Sequence, residues 1–274
     1  MSPVLRTLFV ALALWGGQGI ATVALAQDVQ PRHLLARSSS ASRPALDTAD
    51  QQWLVRKRVL RLGTSAPDYP PLDINISEHD YEGLTADYAG LLGDKLKVRI
   101  EVVRYPTRAK AIAALHAGHI DLLGSANTFE IADPQLVLSQ AYAADRPVIV
   151  TPVGKARDSG DTLDNLDLAM VDHYLPRAEV QGLFPNARLH LYPSIQSAIA
   201  AVAFGRADAY LGDAISSDYL ISKNFLGSVQ LSHFIAREQM AFAFALKRND
   251  PILLRVVDAA LRSISDSAGI LLRL

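Results

Sequence analysis

The chain has no cysteine, so it can hold no disulfide and offers no thiolate for catalysis or metal binding. An exported product of this sequence would rest on its apolar core alone. An excess of charge of either sign is also lacking: 27 Lys and Arg against 28 Asp and Glu leave a formal net charge of −1. No basic stripe stands out, which argues against a nucleic-acid partner. Beyond the first residues no apolar run is long enough to span a bilayer. No Gly-x-Ser-x-Gly elbow, phosphate loop or dinucleotide fingerprint occurs, so hydrolase and nucleotide-dependent chemistry lack support and no cofactor is expected. His116 and His119 share a helix spacing, but Gly118 lies between them and no third ligand completes a metal site.

What is present is apolar: 50% of the residues are hydrophobic. Arg6, the run Leu8 to Trp15 and the small-residue site Ala24-Leu25-Ala26 read as a secretory signal over 1–26, which places the product in a bacterial periplasm. Residues 27–52 are polar and without periodicity, as in ARSSSASRPALDTAD, and read as a flexible leader with order beginning near Trp53.

From there strands and helices alternate. Val59 to Leu62 is a strand, and the prolines at 67, 70 and 71 make the next segment a rigid loop that carries Tyr69. Thr107 caps a helix that Gly118 ends; Ile120 to Leu123 is the following strand, stopping at Gly124-Ser125. Leu136 to Tyr142 and Pro147 to Val150 are extended. The pattern then restarts: Ser194 caps a helix closed by Gly205, and Ala207 to Leu211 leads into Gly212-Asp213. The stretch around Gly118–Ser125 echoes that around Gly205–Asp213, which predicts two α/β lobes of similar build with mostly parallel sheets. Asp250-Pro251 starts the last helix.

Open α/β sheets bind ligands beyond the carboxyl ends of their strands. That rule selects Tyr69, Ser125 and Asn127 in the first lobe and His173, Tyr174 and Asp213 in the second as candidate ligand-binding residues. Asp213 reads equally as a helix N-cap and as an acceptor for a ligand amine. His173 beside Asp172 reads as structural, because neighbours on a strand face opposite ways.

Together, Leu60-Arg61-Leu62-Gly63-Thr64, Gly83-Leu84-Thr85-Ala86-Asp87-Tyr88, Ala117-Gly118-His119-Ile120-Asp121-Leu122 and Gly205-Arg206-Ala207-Asp208-Ala209 resemble the type-2 periplasmic solute-binding proteins of the amino-acid class, family 3. Tyr81-Glu82-Gly83-Leu84-Thr85, Arg104-Tyr105-Pro106-Thr107-Arg108 and Tyr142-Ala143-Ala144-Asp145-Arg146-Pro147 are similar to the first Venus-flytrap module of the BvgS-type sensor histidine kinases. The resemblance implies a two-lobe flytrap with a two-strand hinge at Arg146 and Gln239: lobe 1 over 53–145, lobe 2 over 146–237, and a return to lobe 1 over 238–274 that looks truncated. It implies closure on a small polar solute, with a second flytrap module, a membrane sensor or a permease as partner, and no catalysis by this chain. The alternatives it leaves open are the free binding protein of an amino-acid-type transporter and a dehydratase-like enzyme on the same fold. It maps the family's amine-binding aspartate onto Asp213. The family's carboxylate-binding arginine falls at Ala132, so the usual anion clamp is missing.

Overall fold

A computed structural model of the chain describes residues 32–35, 44–156, 162–235 and 240–268. The signal over 1–26 lies outside them, and so does Gln239.

The first lobe contains, in order, β1 (His33–Leu34), α1 (Thr48–Lys57), β2 (Val59–Ser65), β3 (Ile74–Asn75), β4 (Asp80–Glu82), α2 (Leu84–Leu96), β5 (Arg99–Tyr105), α3 (Arg108–Ala117), β6 (Leu122–Ala126), α4 (Thr128–Ile131), β7 (Leu136–Leu138) and β8 (Ala143–Asp145). The second contains β9 (Pro147–Pro152), β10 (Asp167–Val171), α5 (Arg177–Leu183), β11 (Arg188–Tyr192), α6 (Ile195–Ala203), β12 (Ala209–Asp213), α7 (Ala214–Leu220), a π turn at Ile221–Phe225 and β13 (Val229–Phe234). The chain then returns to the first lobe as β14 (Met240–Lys247) and α8 (Pro251–Ala268).

The leader reading over 27–52 is corrected for two stretches. Asp47 accepts the Asp50 amide at 2.7 Å and starts α1 five residues before Trp53. The buried carboxylate of Asp50 is then tied to Arg255 of α8, with Nε at 3.0 Å. Farther upstream, His33 and Leu34 pair with Asp80 and Tyr81. These long-range ties have no local sequence signature.

The internal echo is a topological one. Lobe 1 orders its strands β5-β2-β6-β14 and lobe 2 orders them β11-β10-β12-β9, each with a parallel three-strand core built by strand–helix–strand units. Gly118 (φ +74°) and Gly205 (φ +69°) stand at equivalent helix ends. The sheets are mixed, however, and the expectation of mostly parallel pairing is corrected: β14 runs antiparallel to β6, β7 and β8, and β9 antiparallel to β12 and β13. β9 and β14 both enter their sheets from the opposite lobe, so their direction is set by the crossing and not by a βαβ connection.

The crossings lie between β8 and β9, at Arg146, and between β13 and β14. The Arg146 guanidinium sits 4.0 Å from the Phe234 ring centroid, which joins the two crossing strands by a cation–π contact. Between Leu138 and β8 the strand is interrupted instead of continuing regularly to Tyr142, although the Ser139 and Tyr142 amides still donate to Phe244 O and Phe242 O of β14, at 2.9 Å each. No helix among the described residues is long and apolar enough to cross a membrane.

Candidate functional site

The facing surfaces of the lobes meet through side chains at the carboxyl ends of β2, β10 and β12. Tyr69 comes from the loop after β2. That loop is closed by reciprocal backbone bonds between Tyr69 and Asp73, at 3.0 and 2.8 Å. Asp68 braces it, accepting Arg104 Nη2 and Asn75 Nδ2 at 2.7 Å each. The first amides of α2 hold it from the other side: Leu84 N donates to Pro71 O and Thr85 N to Leu72 O.

Asp213 ends β12 and opens α7, so it performs the cap function that its sequence position suggested: one carboxylate oxygen accepts the Ser216 amide at 2.7 Å. The other accepts the Tyr69 hydroxyl at 2.9 Å, from the opposite lobe. His173 places its ring 5.7 Å from that of Tyr69, and Phe242 lies on the same tyrosine at 6.0 Å. Tyr174 donates to Asp145, at the crossing, with oxygens at 3.0 and 3.2 Å. Asp145, Tyr174, Tyr210 and Asp213 are all 0% exposed and Tyr69 is 6% exposed, so the junction is closed to water.

Asp172 and His173 do meet, with Nδ1 and Oδ1 2.5 Å apart, because 172–175 is a turn and the alternation of a strand does not apply. The remaining candidates have partners inside lobe 1. Ser125 Oγ lies 2.8 Å from Thr85 Oγ1, and the Ser125 amide donates to the Tyr142 hydroxyl at 2.9 Å. Asn127 caps α4, accepting the Phe129 amide at 2.8 Å, while its own amide donates to Glu130 at 2.8 Å.

Three features carry no local signal in the sequence. The first is Arg108, buried in lobe 1: Nε donates to Glu130 at 2.8 Å, Nη1 to Gly124 O at 2.8 Å and Nη2 to Ser125 O at 3.3 Å. The second is Tyr210, whose ring covers Gly212 so closely that a Cβ there would lie 2.0 Å from the phenol oxygen. The third is the pair of buried oxygens Tyr210 OH and Ser216 Oγ, which find no hydrogen-bond partner among the described residues. His116 pairs with Asp133 at 2.7 Å, and among the described residues no group of three or more His, Cys, Asp or Glu is placed to hold a metal ion.

Burial pushes the Asp213 carboxyl above the usual carboxylate range, and the hydrogen bonds from Ser216 and Tyr69 only partly offset this. Burial likewise lifts the Tyr69, Tyr174 and Tyr210 hydroxyls well above their ordinary value, so all three stay protonated donors. Opening the lobes would return Asp213 to water and to an ordinary value. Closure is therefore favoured most below that ordinary value and weakens as pH rises through the raised, closed-state value. Small-angle scattering at constant ionic strength should show the radius of gyration increasing from pH 4 to pH 8; a flat profile, or the opposite trend, would contradict this.

Two mixed α/β lobes, joined by two crossings and meeting across a polar junction, define a bilobed solute-binding fold. The chain belongs to the bacterial extracellular solute-binding proteins, family 3, whose model matches residues 60–270. It is 44% identical over 226 residues to the virulence sensor protein BvgS of Bordetella bronchiseptica, covering 81% of this chain and 18% of that protein. It is 26% identical over 218 residues to the sensor protein EvgS of Escherichia coli O157:H7, covering 77% and 18%. The chain thus spans less than a fifth of the length of these relatives. Among solved structures, the crystal structure of the B. pertussis BvgS periplasmic domain superposes with a TM-score of 0.76 at 39% identity, covering 89% of this chain and 48% of that one.

Proposed function

We propose that this chain is a periplasmic input module of a two-component sensor of the BvgS kind, and that its resting state is a closed flytrap. One observation carries the reading: the carboxylate that the resemblance assigns to a ligand amine already accepts the Tyr69 hydroxyl of the facing lobe. Closure then needs no solute, since Tyr69 supplies the contact. A carrier that delivers solute to a permease works by the opposite rule, closing only when loaded, so that the partner can tell full from empty. A sensor needs only two states a few kcal/mol apart and an effector that binds one of them better. Asp213 as ligand contact and Arg146 as hinge belong to this same reading, as does export to the periplasm. The identity to BvgS supports the sensor assignment over the transporter.

The test is the shape of the solute-free protein. Scattering should match the closed lobes, and Tyr69→Phe should lower the closed-to-open ratio by roughly tenfold or more, the equivalent of one hydrogen bond to a carboxylate. A solute-free protein that scatters as open lobes, and compacts only when a solute is added, would overturn the reading in favour of a transport-type binding protein.

A further inference from the structure

The contact between Tyr69 and Asp213 depends on how the Tyr69 loop is held, and one support of that loop comes from outside the body of the fold. Residues 32–35 lie upstream of the stretch that the family's model matches, which begins at residue 60. They run across lobe 1 as an edge strand. The Arg32 amide donates to Val102 O of β5 at 3.1 Å, the His33 amide to His79 O, and the Leu35 amide to Tyr81 O at 3.0 Å. The Arg32 guanidinium also donates to Ser77 O, and its charge lies among those of Asp68, Glu78, Asp80 and Arg104. Leu34 is partly buried and packs on the main core.

What this strap covers is a ribbon of two very short strands. β3 and β4 pair at two positions, Ile74 with Glu82 and Asn75 with Tyr81, and a two-stranded ribbon is marginal by itself. With β1 laid on the other side of β4 it becomes a three-stranded sheet. Both strands of the ribbon reach the Tyr69 loop. Asn75 of β3 donates its amide and its side chain to Asp68, at 3.0 and 2.7 Å. Tyr81 of β4, paired with Leu34, donates its hydroxyl to the buried carboxylate of Asp73, and Asp73 exchanges backbone bonds with Tyr69. A short run of bonds thus leads from the strap through Tyr81 and Asp73 to Tyr69 and, across the lobes, to Asp213. The strap's own hold is slight, since His33 and Leu35 are exposed and Leu34 is only partly buried. Segments with few buried apolar contacts open locally at low free-energy cost.

We propose that residues 32–35 are a regulatory strap: seated, they hold the Tyr69 loop in the closing position; unseated, they release it and let the lobes open. The inference rests on the self-closed reading above and adds to it a control point on an upstream segment of the chain.

Two substitutions in the full chain loosen the strap without touching the loop. Arg32→Ala removes the side-chain bond to Ser77 O, and Leu35→Pro removes the amide that Tyr81 O accepts. Combined, they should speed amide hydrogen exchange at Tyr69 and Asp73 by roughly tenfold, the equivalent of one to two neutral hydrogen bonds. Scattering of the same solute-free variant should show a larger radius of gyration. Gly205→Ala, in lobe 2, should cost stability without either change. In a Tyr69→Phe background the strap substitutions should open the lobes less than they do in the wild type, because the contact they act through is already gone. Unchanged exchange at Tyr69 and Asp73 overturns the proposal, as does faster exchange in a protein that stays closed, or an effect of full size on Tyr69→Phe. The two readings fail separately: a solute-free wild type that scatters as open lobes sinks the self-closed state, while the exchange comparison still decides whether the strap holds the loop.

Discussion

Glu130→Ala should lower the free energy of unfolding by about 3–5 kcal/mol, the range for removing one partner of a buried ion pair. Glu130 is 1% exposed and does two things at once: it accepts Arg108 Nε at 2.8 Å and it accepts the Asn127 amide at 2.8 Å. Its loss leaves a buried guanidinium with only the carbonyls of Gly124 and Ser125, and leaves the first turn of α4 without half of its capping box. Glu130→Gln keeps the shape but only one acceptor oxygen, which can serve Arg108 Nε or the Asn127 amide and not both. Because it leaves no cavity and keeps one of the two bonds, its cost should be smaller than that of Glu130→Ala. Urea unfolding of the two variants checks this, and a cost for Glu130→Ala below about 1 kcal/mol would show that water or Asp73 takes over the charge. The same variant bears on ligand chemistry. It frees Arg108 donors in lobe 1, so it is the change most apt to restore affinity for a carboxylate.

How much of this was legible in the sequence depends on the range of the interaction. Helix ends were legible wherever a cap is local: Thr107, Ser194 and Asp250 each accept an amide three residues on, and Gly118 takes the left-handed turn that ends α3. The repeat of two lobes was legible because Gly118 and Gly205 punctuate the same strand–helix order. Asp213 was legible as a cap, but its partner Tyr69 lies 144 residues away, and nothing local announces a contact between lobes. The same holds for Arg108 with Glu130 and for Asp50 with Arg255, pairs made by the fold and not by a neighbouring turn. Strand direction was misread where the chain crosses between lobes, since an apolar run looks the same in β9 whichever way its neighbours point. Ser125 and Asn127 sit at a strand end as the topological rule requires, yet their hydrogen bonds turn back into lobe 1, which no spacing rule predicts.

Gly83→Ala is expected to cost about 3 kcal/mol or more, and to do so through the loop that presents Tyr69. Gly83 has φ +113° and ψ 179°, a region that is essentially reserved for glycine and strains other residues by roughly 1–3 kcal/mol. A Cβ there would also lie 2.4 Å from Leu72 O and 2.7 Å from Pro71 O. Those two carbonyls are the acceptors for the Leu84 and Thr85 amides at the start of α2, so they cannot withdraw without breaking the bonds that pin the loop. Overpacking of this kind adds roughly 1–3 kcal/mol. Gly205→Ala supplies the control: it shares a positive φ, but nothing lies within 4 Å of its added methyl, so only the strain of about 1–2 kcal/mol applies. If the two variants lose equal stability in urea, the carbonyl clash is not the cause. If Gly83→Ala loses more and also scatters as a more open protein while Gly205→Ala does not, then the backbone of α2 and the closing contact at Asp213 are one mechanical unit. An effector that binds at the lobe junction would then be read out through the position of the Tyr69 loop.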